Sequence, residues 1–287
     1  MECGVYISDK SGNSFANLFR AERILYDGRS AYQKIMVFDT QDLGRVLMLD
    51  DFFNVSTIME AFYHEPMAHI PLAMAENREN VLIVGGGDFG VAKHVLKHSD
   101  VRQLTLCELD PRILEISREF FSDWAACEKD PRLSVRVGDG AKYIEECPPE
   151  SLDAVIIDTT DPFFNASVLV TDAFYTRVLK ALRPGGVMIQ IIADFIFYRS
   201  AWFDVLPVAR RNFPTFRPVF VPIPLYVTGC WGLLLAGRRK GQLDISAVSQ
   251  AYLDRIGGVE TMTPDLVRGW MSLPPFLEKE FAPWLEK

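Results

Sequence analysis

The stretch NVLIVGGGDFGVAKHVLKHS, residues 80–99, decides the fold of this 287-residue chain. It begins with a run of aliphatic side chains typical of a strand that is buried on both faces. Glycines follow at positions 85, 86, 87 and 90, and the residues after them have the apolar spacing of a helix. A buried strand that enters a helix through a glycine loop is typical of the first unit of a doubly wound sheet.

The sequence beyond this stretch repeats the alternation of strand and helix. Further strands are predicted at 103–110, 133–139, 152–161 and 186–193, and helices at 111–121 and 172–186. We therefore predict an α/β fold with a Rossmann-like doubly wound sheet of the class I methyltransferase type over residues 71–287. Residues 1–70 contain short β-prone runs and predict a small N-terminal β-strand domain, while residues 240–287 predict helices and loops packed on the sheet.

Composition limits the classes of partner. Hydrophobic residues make up 49% and charged residues 24%, which is ordinary for a packed globular protein. The net charge of −8 argues against nucleic-acid binding, which usually needs a basic surface. The twenty uncharged residues from Pro218 to Gly237 are interrupted by prolines and glycines, so we expect buried strands and no membrane span.

Cysteine and histidine usage gives two further expectations. Five cysteines without a CxxC pair, and no signal peptide at the N-terminus, predict a reduced cytoplasmic protein. His94 and His98 are spaced i, i+4, as two metal ligands on a helix would be. Because no Glu or Cys partner stands in the expected frame, we expect these histidines on an exposed helix face and predict no metal site.

Acidic residues follow four successive strands of the predicted sheet. They are Glu108 and Asp110, then Asp139, then Asp158 and Asp161, with Asp88 in the glycine loop itself. In open α/β sheets ligands bind outside the carboxyl ends of the strands, so this edge is the expected site.

Asp88 restricts the ligand. A carboxylate in this loop would oppose the pyrophosphate of a dinucleotide, since one like-charge pair at about 4 Å and an effective dielectric of about 20 costs roughly 4 kcal/mol. The same repulsion disfavours intact S-adenosylmethionine, whose carboxylate would fall here, whereas an ammonium group would be attracted. The loop therefore favours a cationic ligand over NAD or FAD.

Asp158 and Asp161, just past a buried strand, suit a cationic amine. An alkyl amine has a pKa near that of Lys, about 10.4, so it arrives protonated and must lose a proton before it attacks. The alternative is a turn, because Asp161 precedes Pro162 and Asp-Pro commonly starts one.

Several motifs together resemble the polyamine aminopropyltransferases, of which spermidine synthase is the type. They are residues 30–35, 44–47 and 49–50, Tyr63-His64-Glu65, residues 85–88, 107–110, 139–141 and 158–162, then Tyr226, Gly229 and Trp231, and Leu273-Pro274. The resemblance implies a small N-terminal β domain, a Rossmann-like catalytic domain and a homodimer or homotetramer. It implies transfer of an aminopropyl group from decarboxylated S-adenosylmethionine, as a co-substrate with no other cofactor, to a di- or polyamine such as putrescine, releasing methylthioadenosine.

The resemblance also implies a role for each matched residue. Residues expected to bind the donor are Gln33, His64, Gly85, Gly87, Asp88, Glu108, Asp139 and Gly140, with Glu108 on the ribose and Asp139 on the adenine amino group. The expected catalytic residues are Asp158 as general base, and Tyr63 and Tyr226, which position the attacking nitrogen. Asp161, Gln190 and Trp231 are expected to bind the acceptor.

Departures from the family pattern concern mainly the acceptor. Phe89 and Asp51 replace glycines. The strand after Pro184-Gly185-Gly186 is apolar at positions 191 and 192, where the family usually has a polar residue, so Gln190, Asp194 or neither contacts the distal amine. The preferred amine therefore stays open.

Two other functions stay open beside the leading one. The first is a methyltransferase that uses intact S-adenosylmethionine on the same fold, and Asp88 argues against it. The second is a non-catalytic homologue that binds polyamine or methylthioadenosine. The position of residues 163–170 after the acidic cluster also suggests a loop that closes over substrates.

Overall fold

The computed structural model describes residues 4–10, 15–160 and 165–285. The N-terminal part forms two small antiparallel sheets. Strands β1 (Val5–Ser8) and β2 (Leu18–Ala21) pair with each other. The second sheet has the order β3-β4-β5-β6, with β3 (Arg23–Arg29), β4 (Lys34–Thr40), β5 (Gly44–Leu49) and β6 (Phe52–Ser56).

The turn between β5 and β6 explains the aspartate that replaces a family glycine. Asp50 and Asp51 have φ values of 48° and 68°, the left-handed conformation that two-residue hairpin turns need. Asp51 also accepts a hydrogen bond from the ammonium of Lys34 at 2.8 Å and pairs with Lys10. These ion pairs offset part of the strain that a side chain brings to this backbone conformation.

The large sheet has seven strands in the order β12-β13-β11-β10-β7-β8-β9. The strands are β7 (Asn80–Gly85), β8 (Gln103–Glu108), β9 (Leu133–Val137), β10 (Leu152–Asp158), β11 (Leu182–Ala193), β12 (Thr215–Pro222) and β13 (Cys230–Gly237). Strands β7 to β11 are parallel, and β13 runs antiparallel to both β11 and β12. The predicted doubly wound sheet is confirmed, and the uncharged stretch 218–237 covers the end of β12, the connection at 223–229 and all of β13.

Ten α-helices surround the sheets in the described part of the chain. They are α1 (Ala61–Met74), α2 (Gly90–Val95), α3 (Pro111–Phe120), α4 (Ser122–Ala125), α5 (Gly140–Glu146), α6 (Asp172–Ala181), α7 (Ser200–Asn212), α8 (Gln250–Arg255), α9 (Pro264–Trp270) and α10 (Pro275–Phe281). Helix α1 crosses the boundary predicted between residues 70 and 71, and it packs on α2 and on β10, β11 and β12. None of the described helices is long and apolar enough to cross a membrane.

The expectation that His94 and His98 face solvent is wrong. Both side chains are buried, with 2% of the surface of each residue exposed. Nε2 of His98 lies 2.9 Å from Nδ1 of His69 on α1, and the ring of Tyr252 on α8 packs against His98. The face that carries these histidines is therefore covered by α1 and by the C-terminal helices.

Candidate active site

A large cavity lies at the carboxyl ends of β7, β8 and β10, beneath the N-terminal sheet. Its volume, including the open mouth, is about 1050 Å³, close to the upper end of the range for small-molecule sites. Its lining includes the sequence-predicted residues Gln33, Tyr63, Gly85, Gly87, Asp88, Glu108, Asp139, Gly140 and Asp158. The strand ends of the large sheet and the N-terminal domain therefore build one site together.

The glycine loop brings backbone close to two acidic strand ends. Gly85 has a φ of 82°, and a Cβ there would overlap the carbonyl oxygen of Asp158, so only glycine fits. The amide of Gly87 donates to Oε2 of Glu108 at 3.2 Å, and the amide of Asp110 donates to Oε1 of Glu108 at 2.8 Å. Burial nevertheless raises the pKa of Glu108 to about 7. These contacts fix the Glu108 carboxylate toward the cavity.

Asp139 and Gly140 occupy the turn after β9. The Asp139 carboxylate caps α5 by accepting from the amide of Ala141 at 2.8 Å. Both residues line the large cavity. Asp139 therefore has a structural partner as well as a place in the site.

Asp88 lines one wall of the large cavity, whereas His64, expected to bind the donor, is fully buried behind Asp88 and lines neither cavity. Nε2 of His64 lies 3.3 Å from Oδ2 of Asp88, and the amide of Gly90 donates to Oδ1 of Asp88 at 2.8 Å. Burial alone lowers the pKa of His64, but Asp88 and Glu60 raise it to about 10. His64 is thus an imidazolium at neutral pH.

Asp158 stands at the end of β10 and is held by a tyrosine. The Tyr63 hydroxyl donates to Oδ1 of Asp158, and the ring of Tyr226 lies 6.4 Å from that of Tyr63. Burial, with the charge of Asp88, raises the pKa of Asp158 to about 7, while Tyr63 and His64 act to lower it. A carboxylate with a pKa near neutrality is suited to take a proton from an amine.

Three contacts in this site were not predicted from the sequence. The Asp110 carboxylate accepts from the Ser30 hydroxyl at 2.6 Å and from the Gln33 amide at 3.0 Å, which joins the N-terminal sheet to the start of α3. Glu60 contacts His64 from behind at 2.6 Å. Asp110 was visible as an acid at a strand end and Ser30 as the first residue of the motif at 30–35, whereas no sequence signal indicated Glu60 as a site residue.

A second cavity of about 750 Å³ adjoins the first. Five residues line both cavities, Gln33, Leu49, Asn54, Thr159 and Thr160, so the two lie side by side. The second cavity is also lined by Asp9, Asp50, Phe52, Phe53, Ile191, Tyr226, Val227 and Trp231. The catalytic tyrosine expected at 226 and the acceptor residue expected at 231 therefore lie together in this second cavity.

Gln190 does not line either cavity. Its side chain is buried, accepts from the Tyr175 hydroxyl at 2.7 Å and donates to the carbonyl of Leu169 at 3.1 Å. Successive residues of a strand point to opposite faces, so Ile191 faces the second cavity instead. Asp194 accepts three backbone amides of the following turn, from Ile196 to Tyr198. These placements argue against the expected contact between Gln190 and the amine.

Two other expected features fall partly or wholly beyond the described residues. Asp161 lies outside them, as do residues 163 and 164 of the expected closing loop. The rest of that loop includes Val168 and Leu169, which line the large cavity. Among the residues described, no group of three or more His, Cys, Asp or Glu side chains is arranged to hold a metal ion.

Comparison with known proteins decides the family. Residues 60–244 match the spermine/spermidine synthase domain, and residues 5–56 match the spermidine synthase tetramerisation domain. The chain belongs to the spermine/spermidine synthase family. It is accordingly an enzyme of the aminopropyltransferase class. The resemblance of its sequence motifs to this family is confirmed.

Relatives of this family member include enzymes of two named activities. A spermine synthase of Arabidopsis thaliana is 29% identical over 97% of this chain and 79% of its own length. Spermidine synthase 1 of Hyoscyamus niger is 32% identical over 87% of this chain and 79% of its own. A solved spermidine synthase in complex with the transition-state analogue AdoDATO superposes with a TM-score of 0.91, at 29% identity over 97% and 95% of the two chains. The named activities therefore confirm the reaction class and differ on the acceptor.

The match to a tetramerisation domain also bears on assembly. It identifies this family member as a homo-oligomer, as expected from the sequence. Exposed apolar side chains of the N-terminal strands, among them Val5, Tyr6 and Leu18, lie within the matched residues.

Proposed function

We propose that the large cavity binds decarboxylated S-adenosylmethionine and that the adjoining cavity binds the amine acceptor. The observation that carries this proposal is the position of Asp158, which lines the donor cavity directly before Thr159 and Thr160, the residues shared by both cavities. A base at this junction can take a proton from the acceptor and face the donor carbon.

The donor would be held by carboxylates along its length. Glu108, fixed by two backbone amides, is placed to accept from the ribose hydroxyls, and Asp139 lines the same cavity beyond it. Asp88 faces the end of the cavity where the decarboxylated donor carries an ammonium group. The sulfonium and the ammonium are both cationic, so this acidic lining favours the donor over a neutral nucleoside.

The reaction follows from these placements. The acceptor ammonium gives a proton to Asp158, and its nitrogen, directed by Tyr63 and Tyr226, attacks the carbon of the aminopropyl chain that is bonded to sulfur. The new N–C bond forms as the C–S bond breaks, and the electron pair leaves on sulfur as the neutral thioether methylthioadenosine. Because the leaving group is neutral, alignment is the main contribution required of the protein, and it can be worth about 7–11 kcal/mol.

The acceptor cavity combines apolar surface with acidic side chains. Phe52, Ile191 and Trp231 supply apolar surface. Asp9 lines the same cavity, with 5% of its surface exposed, and its Oδ1 accepts from the amide of Asn17 at 2.9 Å. We assign Asp9 to the distal ammonium of a di- or polyamine, in place of the polar residue that β11 does not provide.

Turnover with a panel of amines tests this function. Decarboxylated S-adenosylmethionine is offered with putrescine, cadaverine, diaminopropane, agmatine or spermidine, and methylthioadenosine release is measured. We expect release with a di- or polyamine such as putrescine, and the amine with the highest kcat/KM identifies the acceptor. Donor binding without release under any amine would support a non-catalytic homologue, and methyl transfer from intact S-adenosylmethionine would support a methyltransferase.

The family match indicates a homo-oligomer and leaves the number of subunits and the cellular location open. We propose a homotetramer, supported by the match of residues 5–56, and light scattering of the purified chain would distinguish it from a homodimer. We also propose a cytoplasmic enzyme without nucleic-acid or membrane partners. The net charge of −8 and the scattered cysteines, four of which are free among the described residues, support that location.

A further inference from the structure

Glu60 occupies the position directly before α1, behind the wall of the donor cavity. Its carboxylate lies 2.6 Å from Nδ1 of His64, 2.5 Å from Nζ of Lys93 and 3.3 Å from Nε2 of His94. Burial alone raises the pKa of Glu60, but these donors lower it far below its usual range. Glu60 therefore remains ionised and links α1 to α2.

His64 stands between two carboxylates. Nδ1 lies 2.6 Å from Glu60 and Nε2 lies 3.3 Å from Asp88, an arrangement that suits an imidazolium, which carries a proton on both nitrogens and can donate in both directions. The ring is completely buried, and the edge of Trp124 packs against it. A Cβ on Gly90 would overlap this ring, so the close approach of α2 depends on glycine.

We propose that Glu60 is a positioning residue, which holds a protonated His64 between two carboxylates so that His64 in turn fixes Asp88 toward the donor and favours the carboxylate form of Asp158. This inference rests on the proposed function, because it concerns the ionisation of the proposed base. Glu60 acts through His64 and does not contact a substrate itself.

The surrounding charges define what Glu60 contributes. From α2, Lys93 and His94 face His64 across Glu60, and the pKa of His94 is lowered by burial although Glu60 raises it. From the other side, Asp88 and Asp158 face the cavity. Without the carboxylate of Glu60, His64 would meet a cationic group on one side and keep Asp88 as its single acidic contact.

The ionisation of Asp158 depends on this balance. Burial and Asp88 raise its pKa, whereas the charge of His64 and the hydroxyl of Tyr63 lower it. A neutral His64 would remove one of the two effects that lower it. The acid limb of the rate profile would then move to higher pH.

Glu60→Gln tests the proposal because the amide keeps the size and one acceptor oxygen of the side chain. The chain contains four histidines, so the ring signals of His64 can be followed by NMR as a function of pH. We expect His64 to stay protonated through pH 8 in the wild-type chain and to lose its proton at a lower pH in the variant. We also expect the acid limb of kcat/KM to shift upward by about one pH unit.

Glu65→Gln is the matched control. Glu65 lies on the same helix and is fully buried, but its carboxylate accepts from the amides of Glu260 and Thr261, away from the cavities. We expect it to lower thermal stability and to leave both the His64 titration and the acid limb unchanged. A loss of activity that is uniform across pH in Glu60→Gln would indicate a structural role alone and overturn the proposal.

The two measurements separate this inference from the proposed function. An unchanged His64 titration in Glu60→Gln would overturn the proposed effect on His64, whether or not the enzyme turns over. A changed titration with an unmoved acid limb would overturn the link to Asp158. Absence of aminopropyl transfer in the wild-type chain would contradict the proposed function instead, and the NMR titration would still decide whether Glu60 holds the proton on His64.

Discussion

Asp88 is the residue that we expect to select the decarboxylated donor, and its replacement gives the sharpest test. At about 4 Å and an effective dielectric of about 20, its charge repels a donor carboxylate by about 4 kcal/mol. His64 lies 3.3 Å behind Asp88, so its opposite charge, at about 7 Å from the donor, returns about 2 kcal/mol. The net penalty is about 2 kcal/mol, or roughly 30-fold in relative affinity.

The perturbation is Asp88→Asn, which keeps an oxygen to accept from the amide of Gly90 and removes the charge. Calorimetric titration of the wild-type and variant proteins with intact and with decarboxylated S-adenosylmethionine measures the ratio of the two dissociation constants. Because Glu60 still contacts His64 in the variant, the charge of His64 stays in place and the whole repulsion of about 4 kcal/mol from Asp88 is lost. We therefore expect the preference for the decarboxylated donor to fall by roughly 1000-fold in the variant.

Methylthioadenosine is the control ligand, because it has neither the ammonium nor the carboxylate. Its affinity should be unchanged in Asp88→Asn if the loop keeps its shape. A ratio that changes by less than about threefold, with methylthioadenosine still bound normally, would refute the assignment of Asp88 as the group that discriminates the donors.

Three further outcomes are expected from the same site. The pKa of Asp158 is raised to about 7, so we expect kcat/KM to fall as the pH drops below about 7, because the base becomes protonated. If the rate of methylthioadenosine release stays constant down to pH 5, Asp158 is not the general base. Asp9→Asn should raise the KM for putrescine by about tenfold with little change in the KM for the donor, and equal changes in both would remove Asp9 from the acceptor site. Gly90→Ala should reduce turnover by about 100-fold, since the added methyl displaces His64. Gly269→Ala is its control, a helical glycine with open space, and wild-type turnover is expected there; normal activity in Gly90→Ala would show that the His64 position is not required.

The large sheet was predictable because its signals are local. The central strands β7 and β10 are largely aliphatic runs that end in glycine or an acid, so most of residues 80–193 could be divided into strands and helices before any contact was known. The convergence of Glu108, Asp139 and Asp158 on one cavity also followed from this pattern, since the carboxyl ends of parallel strands meet at one edge of a sheet.

Other elements did not have such a local signal. Helix α7 was not predicted, and it contains Pro207, a residue that normally argues against a helix interior. Helix α1 also contains Pro66 and Pro71, but apolar residues at helical spacing between positions 60 and 75 do predict it, and almost all of its side chains are buried. In both helices tertiary packing outweighs the local preference of the residue.

The sequence by itself therefore determined the order of strands and helices, the acidic edge of the sheet and the family. Only the tertiary structure decided which neighbours complete that edge. Glu60 and Lys93 are 33 residues apart, and Asp9 reaches the acceptor cavity from the first strand pair, so neither contact has a periodic signal. Whether Ile191 or Gln190 points into the second cavity depends on the register of β11, because a shift of one residue exchanges the side chains on the two faces of the sheet.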